Sequence, residues 1–438
     1  MRLQMNPLPA SVKNYELSSD SNLLEYLSEF KKTGYVSKFI GSKSDLNLGK
    51  PHLKLFSGLP EAALSSIRVK KKAFYKDWSN KAYFEAVKLN SIIRYFVYSN
   101  ASNSLLEIEY VIHQNINKNS DLFLQNKYVF VENIFDYFHD ILIDIAIRQC
   151  YGGAVKSDPE FCKAVELLLK QPISFGEKYI SHLLKFSFVK TKTNYNQGRE
   201  YLRDFVIKGK FQELNQSSFD EYEKLSISDD IFYTSLPNYL YLSVINIGNQ
   251  LANFFIDISL NPAVFKKLES EQRMIIEKYG HSITIRRLGK MIYLDAAISE
   301  TMRLGTNTIS MKQSLCDIYL SNGILLPKGF FTKFNTVTYN RSSDIFLNHP
   351  HDYIPERHFK IGTKLNEISK TNLVWGLECP CPYRKYISIF MKFFISTVIR
   401  KYEVSQGDEN SEVEHGGYFF DFFVQHAKKS LYLRQREI

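Results

Sequence analysis

Apolar residues recur along much of this chain at intervals of three and four positions, the spacing that places them on one face of a helix. In the first third of the chain this spacing predicts a helix from Asn22 to Phe30 and a second from Val131 to Cys150. Gly152 and Gly153 follow the second helix directly, and glycine after the last apolar position is a common helix stop. Both segments are therefore predicted to be helices.

A longer apolar run from Pro237 to Leu260 allows two interpretations, a membrane span or a helix buried through the middle of the protein. Proline near its start and Asn261-Pro262 at its end predict the limits of one long helix. Polar groups would lack partners in hydrocarbon, so the pattern favours a buried central helix. The polar residues on which this choice rests are Asn238, Asn246, Asn249, Gln250, Asn253 and Asp257.

The pattern changes in the last third of the chain. An amphipathic helix is predicted from Met291 to Leu304, and alternating apolar positions follow it. Short apolar pairs on either side of Ser321-Asn322-Gly323 predict a β-hairpin, because Asn-Gly is a favoured hairpin turn. We therefore predict a mainly α (α+β) fold with a long central helix and a small β region.

Composition adds few restrictions. The chain has 438 residues, 44% of them hydrophobic and 23% charged, which is enough apolar material for a large core. Aromatic residues make up 14%, a share that suits such a core or a pocket for an apolar ligand. Because no internal repeat or low-complexity tract is visible, we expect a single domain over residues 1–438.

Charge and cysteine usage narrow the class of protein. The net charge of +10 would attract acidic partners, but no run of five basic residues occurs, so no nucleic-acid partner is expected. Five cysteines are too few for a disulfide scaffold at this length and indicate a reducing compartment. Residues 1–13 lack the apolar core of a signal peptide or membrane anchor, so we expect an intracellular protein without an N-terminal anchor.

Three short motifs follow one another in the last third of the chain. Glu300 and Arg303 have the three-residue spacing that places both on one helix face, which taken alone is typical of a surface ion pair. About fifty residues later, Tyr353 to Phe359 is a proline-containing segment that carries Arg357. The third motif, Trp375 to Arg384, is a loop rich in glycine and proline that carries Cys381 before an apolar helical run. At a helix N-terminus we expect this cysteine to be held as thiolate.

In this order the three motifs resemble the cytochrome P450 family, most of all its filamentous-fungal members. The resemblance extends over residues 235–405 and is strongest from Tyr293 to Leu304. It implies heme b as cofactor with Cys381 as the axial iron ligand, because this cysteine alone precedes Pro382 and, three positions on, Arg384. The resemblance also implies a buried triad of Glu300, Arg303 and Arg357, and cofactor contacts from Lys312, Trp375, Gly376 and Arg384.

The sequence departs from the family at the haem loop. The loop is one residue short, so that Cys379 occupies the position where the family has histidine or arginine two before the ligand. Tyr383 stands where the family has glycine, next to the porphyrin. Lys312 stands where the family usually has an arginine, and lysine keeps the charge but not the bidentate fork.

The central helix departs as well. The family carries an acid–alcohol pair there that relays protons during oxygen activation, and the aligned stretch from Ser243 to Asn249 has neither a carboxylate nor a threonine. Asn246, Ile247 and Gly248 are the residues predicted to form the oxygen-binding stretch of this helix.

What the resemblance implies is a haem-thiolate monooxygenase that oxidises an apolar small molecule, such as a polyketide or terpenoid of fungal secondary metabolism. It implies a flavoprotein NADPH reductase as electron donor, docked near Arg384, Lys385 and Lys392, and a monomer that is cytoplasmic or peripheral at the endoplasmic reticulum. Contact with the membrane surface is left open. The alternative is a degenerate homologue that binds a ligand or has lost haem.

A different alternative is a zinc site. Cysteine and histidine are zinc ligands, but Cys-x-Cys combined with His-x-His is not a standard spacing for such sites. The residues it would use are Cys379 and Cys381 with His349, His351 or His358.

Overall fold

The computed structural model describes most of the chain as helices around one large apolar core, with small sheets at its edges. The residues described are 20–38, 46–69, 101–118, 129–151, 153–169, 194–207, 229–305, 310–361, 364–377, 381, 383–406, 415, 417, 418, 427 and 429–435. The α-helices are α1 (Asp20–Lys32), α2 (Leu53–Gly58), α3 (Ala101–Lys118), α4 (Ile134–Tyr151), α5 (Pro159–Leu169), α6 (Asn194–Ile207), α7 (Asp229–Leu260), α8 (Pro262–Tyr279), α9 (Ile285–Leu288), α10 (Ile292–Gly305), α11 (Thr336–Asn340), α12 (Ser343–Phe346), α13 (Arg357–Ile361) and α14 (Arg384–Lys401).

Ten short strands form three sheets among the described residues. A five-stranded sheet has the order β1-β2-β8-β5-β3, a three-stranded sheet the order β4-β10-β9, and β6 pairs with β7. The strands are β1 (Val36–Lys38), β2 (Leu46–Leu48), β3 (Leu64–Ser65), β4 (Val129–Val131), β5 (Met311–Ser314), β6 (Ile318–Tyr319), β7 (Leu325–Leu326), β8 (Phe331–Phe334), β9 (Tyr402–Ser405) and β10 (Leu431–Gln435). The mainly α (α+β) fold class predicted from the sequence is confirmed.

The long helix α7 runs through the core and is buried on most of its faces. Phe255 of α7 packs on Phe138 of α4 with ring centroids 5.1 Å apart, and Phe138 also meets Phe394 of α14 edge-on at 5.0 Å. Edge-to-face pairs of this kind add to the stabilisation that their buried area provides. The three helices are thereby locked to one another around Phe138.

The helix α7 begins earlier than the sequence pattern predicts. It starts at Asp229, and Pro237 lies inside it, so the prediction that proline marks its first turn is wrong. A proline removes one backbone hydrogen bond but does not prevent a helix from continuing on its N-terminal side. Within the residues described, α7 included, we find no helix with the length and apolar character needed to cross a membrane.

Polar residues of α7 anchor the C-terminal part of the chain. The carboxylate of Asp257 accepts hydrogen bonds from the hydroxyls of Thr301 and Tyr418, each at 2.6 Å, and lies 3.1 Å from Nε2 of His415. One turn earlier, the side-chain carbonyl of Asn253 accepts from the backbone N–H of Ala427 at 2.9 Å. These two polar side chains therefore serve contacts inside the protein.

Two further elements lie close to their predicted positions. The hairpin predicted around Asn322 is the β6–β7 pair, and Gly323 has the positive φ of 78° that the turn requires. The helix predicted from Met291 to Leu304 is α10. The helix predicted from Val131 is instead preceded by β4, because Val131 pairs with Leu431 of β10.

Candidate functional site

Cys381 lies in a short loop immediately before α14. Its backbone N–H donates to the carbonyl of Trp375 at 2.7 Å, which closes the loop, and Gly376 next to Trp375 has φ of 102°, a conformation that glycine adopts readily. Arg384 begins α14 three residues after Cys381. The loop therefore holds the cysteine at the N-terminal end of this helix; Cys379 and Pro382 lie outside the described residues.

The thiol of Cys381 is packed against the large core. Burial raises its pKa, although the backbone N–H groups of Tyr383 and Arg384 donate toward the sulfur and the charge of Arg384 acts in the same lowering direction. Burial therefore acts against the thiolate that the helix end favours. A soft metal bound to the sulfur would displace the proton, and the two N–H donors would then stabilise the thiolate.

Trp375 and Arg384 flank the cysteine. The indole N–H of Trp375 donates to the carbonyl of Leu365 at 2.6 Å, which fixes the ring in the core. Arg384 donates from Nη1 to the carbonyl of Cys381 at 3.3 Å, while its Nε is buried and has no hydrogen-bond partner among the residues described. A buried, unsatisfied guanidinium N–H beside Cys381 is suited to an anionic group of a ligand.

The side chains of Glu300, Arg303 and Arg357 meet in one buried network. Arg303 forms a bidentate pair with the carboxylate, with both N–O distances 2.7 Å, and Arg357 donates to Oε1 at 2.8 Å. His358 Nε2 lies 2.9 Å from Oε2, and the N–H of Ile354 donates to Oε1 at 3.0 Å. Burial raises the pKa of Glu300, but the charge and hydrogen bonds of Arg303 and His358 bring it well below the ordinary value.

His358 is a member of this network that the sequence reasoning did not assign. The histidine directly follows Arg357 in the motif from Tyr353 to Phe359, and its contact with the carboxylate of Glu300 depends on the first turn of α13. Sequence spacing alone could not show which of two adjacent side chains faces the carboxylate, and both do.

The arginines also hold a loop in place. Arg303 donates to the carbonyls of Asn340 and Pro350 at 2.6 and 2.7 Å, and Arg357 donates to the carbonyls of Phe346 and His349, each at 2.8 Å. Charged donors of this kind satisfy carbonyl groups that would otherwise be buried without partners. The network therefore fixes the stretch from α11 to α13 against α10.

A line of hydrogen bonds joins α10 to the cysteine loop. Asp295 of α10 accepts from Lys392 of α14 and from the N–H of Leu365, each at 2.9 Å. The carbonyl of Leu365 accepts from Trp375, whose own carbonyl accepts from Cys381. Displacement of α10 would thus be transmitted to the cysteine.

Lys392 therefore does not belong to a docking surface for a reductase, contrary to the sequence-based expectation. It is 7% exposed and paired with Asp295. Of the three basic residues proposed for that surface, Lys385 is exposed and Arg384 is half-buried.

Lys312 lies on β5, away from the cysteine loop in sequence. Its ammonium group is buried and donates to the carbonyl of Phe56 at 2.7 Å, with the ring of Phe56 5.1 Å away. Burial of an ammonium group costs free energy unless its N–H groups donate hydrogen bonds, and the carbonyl of Phe56 accepts one of them. Lys312 therefore places a positive charge inside the protein.

The predicted oxygen-binding residues of α7 point in different directions. A Cβ atom at Gly248 would lie 2.7 Å from Phe135 and 2.9 Å from Leu142, both on α4, so this glycine serves close packing of two helices. A role of Gly248 in the oxygen-binding stretch stays a prediction. Ile247 is only 6% exposed. Asn246 is half-buried, and its Oδ1 is buried with no hydrogen-bond partner within the described part of the chain.

Asn246 shares a less buried helix face with three other residues. Tyr239, Leu242, Ser243 and Asn246 follow one another at helical spacing, and Leu242 is 39% exposed. The ring of Tyr239 contacts the ring of Tyr383, with centroids 5.4 Å apart. Because Tyr383 is two residues from Cys381, this face of α7 is the one directed to the cysteine loop.

The zinc alternative gains no support from the described residues. None of the histidine, cysteine, aspartate and glutamate side chains in the described ranges form a group of three or more that could hold a metal ion. His358, one of the ligands considered, is engaged by Glu300.

Comparison with known proteins agrees with the glutamate–arginine motifs, and the family match ends before the cysteine loop. A family model described as cytochrome P450 matches residues 178–367, a span that includes Glu300, Arg303 and Arg357. The chain is 24% identical over 204 residues to cytochrome P450 4d1 of Drosophila melanogaster, which covers 45% of this chain and 38% of that one. It is 27% identical over 196 residues to dihydro-ML-236C monooxygenase mlcC of Penicillium citrinum (41% and 36%). A further match is cytochrome P450 family 716 subfamily AD polypeptide 2 of Citrus sinensis, at 22% identity over 276 residues (61% and 55%).

The mainly helical fold and the buried glutamate–arginine network are consistent with these matches. The part of the chain from residue 178 to 367 is similar to the cytochrome P450 family. The matched parts span between 36% and 55% of the length of the three relatives named above, which come from an insect, a fungus and a plant.

Proposed function

We propose that this protein is a haem-thiolate monooxygenase in which Cys381 binds the iron of heme b. The observation that carries the proposal is the surrounding of Cys381: a half-buried cysteine beside the backbone N–H groups of Tyr383 and Arg384, tied to α10 through Trp375, Leu365 and Asp295. Thiolate ligands of haem are supported by such N–H donors and by an apolar shell around the sulfur.

The residues near Cys381 fit the cofactor in charge as well. Porphyrin carboxylates need cationic partners, and Arg384 has a buried Nε that no described residue engages. Lys312 is the second buried cation assigned to this role, and Trp375 and Gly376 are the further residues that would hold the cofactor. When bound, thiolate-ligated haem supplies the oxidising chemistry that inserts an oxygen atom into an unreactive C–H bond.

The side chains of this protein would act on that chemistry in three ways. The N–H groups of Tyr383 and Arg384 stabilise the deprotonated sulfur. The apolar core behind the loop excludes water from it. On the face of α7 that is directed to the cysteine loop, Asn246 presents an unsatisfied Oδ1 that can hold a water molecule and so position a proton donor.

The substrate we propose is an apolar small molecule, such as a polyketide or terpenoid of fungal secondary metabolism. Its support is the less buried face of α7, where Tyr239 and Leu242 supply apolar surface and Ser243 and Asn246 supply two polar groups. The relative from Penicillium citrinum is named as a monooxygenase of dihydro-ML-236C. Electrons would come from a flavoprotein NADPH reductase that docks near Lys385. The protein would be an intracellular monomer.

The carbonyl complex of the reduced protein tests this proposal. Wild type should show the long-wavelength absorption band of thiolate-ligated haem, and Cys381→Ala should abolish that band. Cys379→Ala should retain it, as should Cys316→Ala, which removes an exposed cysteine. Loss of the band in Cys379→Ala with retention in Cys381→Ala would mean that the shortened loop uses the other cysteine.

A second candidate function is that of a non-catalytic homologue without haem. It is favoured by one observation, the ring contact of Tyr383 with Tyr239 beside the cysteine. A purified protein that is folded but has no Soret absorption, even after incubation with hemin, would support this candidate and contradict the enzyme.

A further inference from the structure

One carboxylate joins two parts of the chain that meet at the cysteine loop. Oδ1 of Asp295, in the first turn of α10, accepts a hydrogen bond from Nζ of Lys392 on α14, and Oδ2 accepts one from the backbone N–H of Leu365, each at 2.9 Å. Hydrogen bonds to an ionised group are stronger than neutral ones. Asp295 therefore connects α14 to the segment that precedes the cysteine loop.

The segment between Leu365 and Trp375 extends this connection to Cys381. The carbonyl of Leu365 accepts from the indole of Trp375 at 2.6 Å and from the side chain of Asn372 at 3.3 Å, so the two ends of the segment are held together. The carbonyl of Trp375 then accepts from the N–H of Cys381 at 2.7 Å. A shift of Leu365 is thus passed on to the backbone of Cys381.

These contacts form a closed ring, because Cys381 is also joined to Lys392 through the chain itself. Cys381 lies directly before α14, and Lys392 lies about two turns inside that helix. The cysteine loop is therefore held on both of its sides, and the carboxylate of Asp295 is where the two sides meet.

The surroundings of Lys392 make the contact with Asp295 hard to replace. Lys392 is 7% exposed, so water has little access to its ammonium group. Glu271 lies close enough to act on Lys392 by charge, and Tyr339 also ties the segment through the carbonyl of Lys370, at 2.9 Å. Loss of Asp295 would therefore loosen the cysteine loop without leaving Lys392 uncompensated or releasing the whole segment.

We propose that Asp295 and Lys392 are positioning residues for Cys381, which together hold its sulfur in one place. The inference rests on the proposed function for its purpose, since a thiolate ligand of haem needs a fixed sulfur. The positioning itself belongs to the protein without cofactor, so it can be measured on the thiol.

Alkylation of the haem-free, full-length chain by iodoacetamide at about pH 8 measures how firmly the loop is held. The half-buried sulfur of Cys381 reacts faster as the open form of the loop becomes more populated. We expect Asp295→Ala and Lys392→Met each to accelerate the reaction by about 10-fold or more, from the strength of a hydrogen bond to a charged group. Mass spectrometry follows the peptide, in a Cys379→Ala background so that it carries one thiol.

The variant with both substitutions separates a joint role from two independent ones. Because either substitution already opens the ring, this double variant should react no faster than the faster single variant. With hemin bound, each single variant should also lose part of the long-wavelength carbonyl band that wild type shows.

Matched controls change a carboxylate elsewhere or report on an exposed thiol. Asp144 also bridges two cations, at 2.8 Å from both Arg148 and Lys156, and none of these three residues belongs to the cysteine loop. Asp144→Ala should therefore leave the rate at Cys381 unchanged. Cys316 is exposed and should react at the same rate in every variant.

Two results would overturn the positioning role while leaving the proposed function intact: rates at Cys381 in Asp295→Ala and Lys392→Met equal to that in Asp144→Ala, or full addition of the two effects in the double variant. If Asp295→Ala is insoluble, Asp295→Asn takes its place in the comparison. Failure of wild type to bind hemin, with faster alkylation in both single variants, would overturn the proposed function and support the positioning role.

Discussion

Arg357 donates from Nε to Oε1 of Glu300 at 2.8 Å, although the two residues are 57 positions apart in the chain. The carboxylate is fully buried and receives donors from Arg303 and His358 as well. Water cannot replace any of these partners, so each arginine is needed to compensate a charge that has no access to solvent.

Arg357→Ala and Arg303→Ala are therefore expected to destabilise the protein strongly. Removing one partner of a buried ion pair costs about 3–5 kcal/mol, because the other charge remains buried and uncompensated. Chemical denaturation followed by circular dichroism, or the soluble yield where the variant does not fold, measures the loss.

Arg273→Ala is the matched control. Arg273 pairs with Glu269 one helical turn away and is 54% exposed, so its loss should cost no more than about 0.5 kcal/mol. Equal stability of the Arg357→Ala and Arg273→Ala variants would contradict the energetic role assigned to the buried network.

The carboxylate of Glu271 provides a prediction about pH. Glu271, on α8, accepts the backbone N–H groups of Tyr293 and Leu294 at 2.6 and 3.0 Å at the start of α10. Burial raises its pKa, which the two N–H donors and Lys392 only partly offset. A raised pKa means that the folded state binds the proton more tightly than the unfolded state, so ionisation of Glu271 lowers stability as pH rises above the ordinary carboxyl range.

Glu271→Gln removes that ionisation and retains one acceptor oxygen. The free energy of unfolding of wild type should therefore fall relative to that of Glu271→Gln as pH rises from about 4 to 7. Urea denaturation at several pH values measures the difference. Glu277→Gln, an exposed substitution on the same helix, should show no such trend, and a difference that changes in the opposite direction for Glu271→Gln would contradict the pKa assignment.

Local sequence patterns predicted the elements better than they predicted side-chain directions. Helical spacing located α10, and Asn-Gly located the β6–β7 turn, because both depend on residues close in sequence. Pro237 misled the prediction of where α7 begins, because the helix starts at Asp229 and continues through the proline.

In the candidate site too, local motifs could be predicted and contacts between distant residues could not. Glu300, Arg303 and Arg357 belong to recognisable motifs, whereas His358 joins the carboxylate because of the turn that begins α13. From the sequence alone, Gly248 is compatible with space for a ligand and with close packing of two helices. Only the position of α4 shows that the two helices pack closely at this glycine. The burial of Lys392 likewise depends on Asp295, 97 positions away.

Asn246 is the residue of α7 from which the structure predicts an effect on oxygen activation, given the proposed monooxygenase function. Its unsatisfied Oδ1 lies on the helix face that includes Tyr239, whereas the neighbouring Ile247 is buried in the core. A side chain that holds water there would supply protons and limit the release of hydrogen peroxide during turnover. Asn246→Leu should therefore raise the hydrogen peroxide released per NADPH consumed, and Asn246→Thr should keep it near the wild-type ratio, because threonine retains a polar group.

Ile247→Thr is the matched control: it should lower stability by roughly 1 kcal/mol through a buried hydroxyl and leave the peroxide ratio unchanged. Peroxide and NADPH assayed in the same reaction give the ratio directly. A lower ratio in Ile247→Thr together with no effect of Asn246→Leu would show that the opposite face of α7 is the one that meets the oxygen.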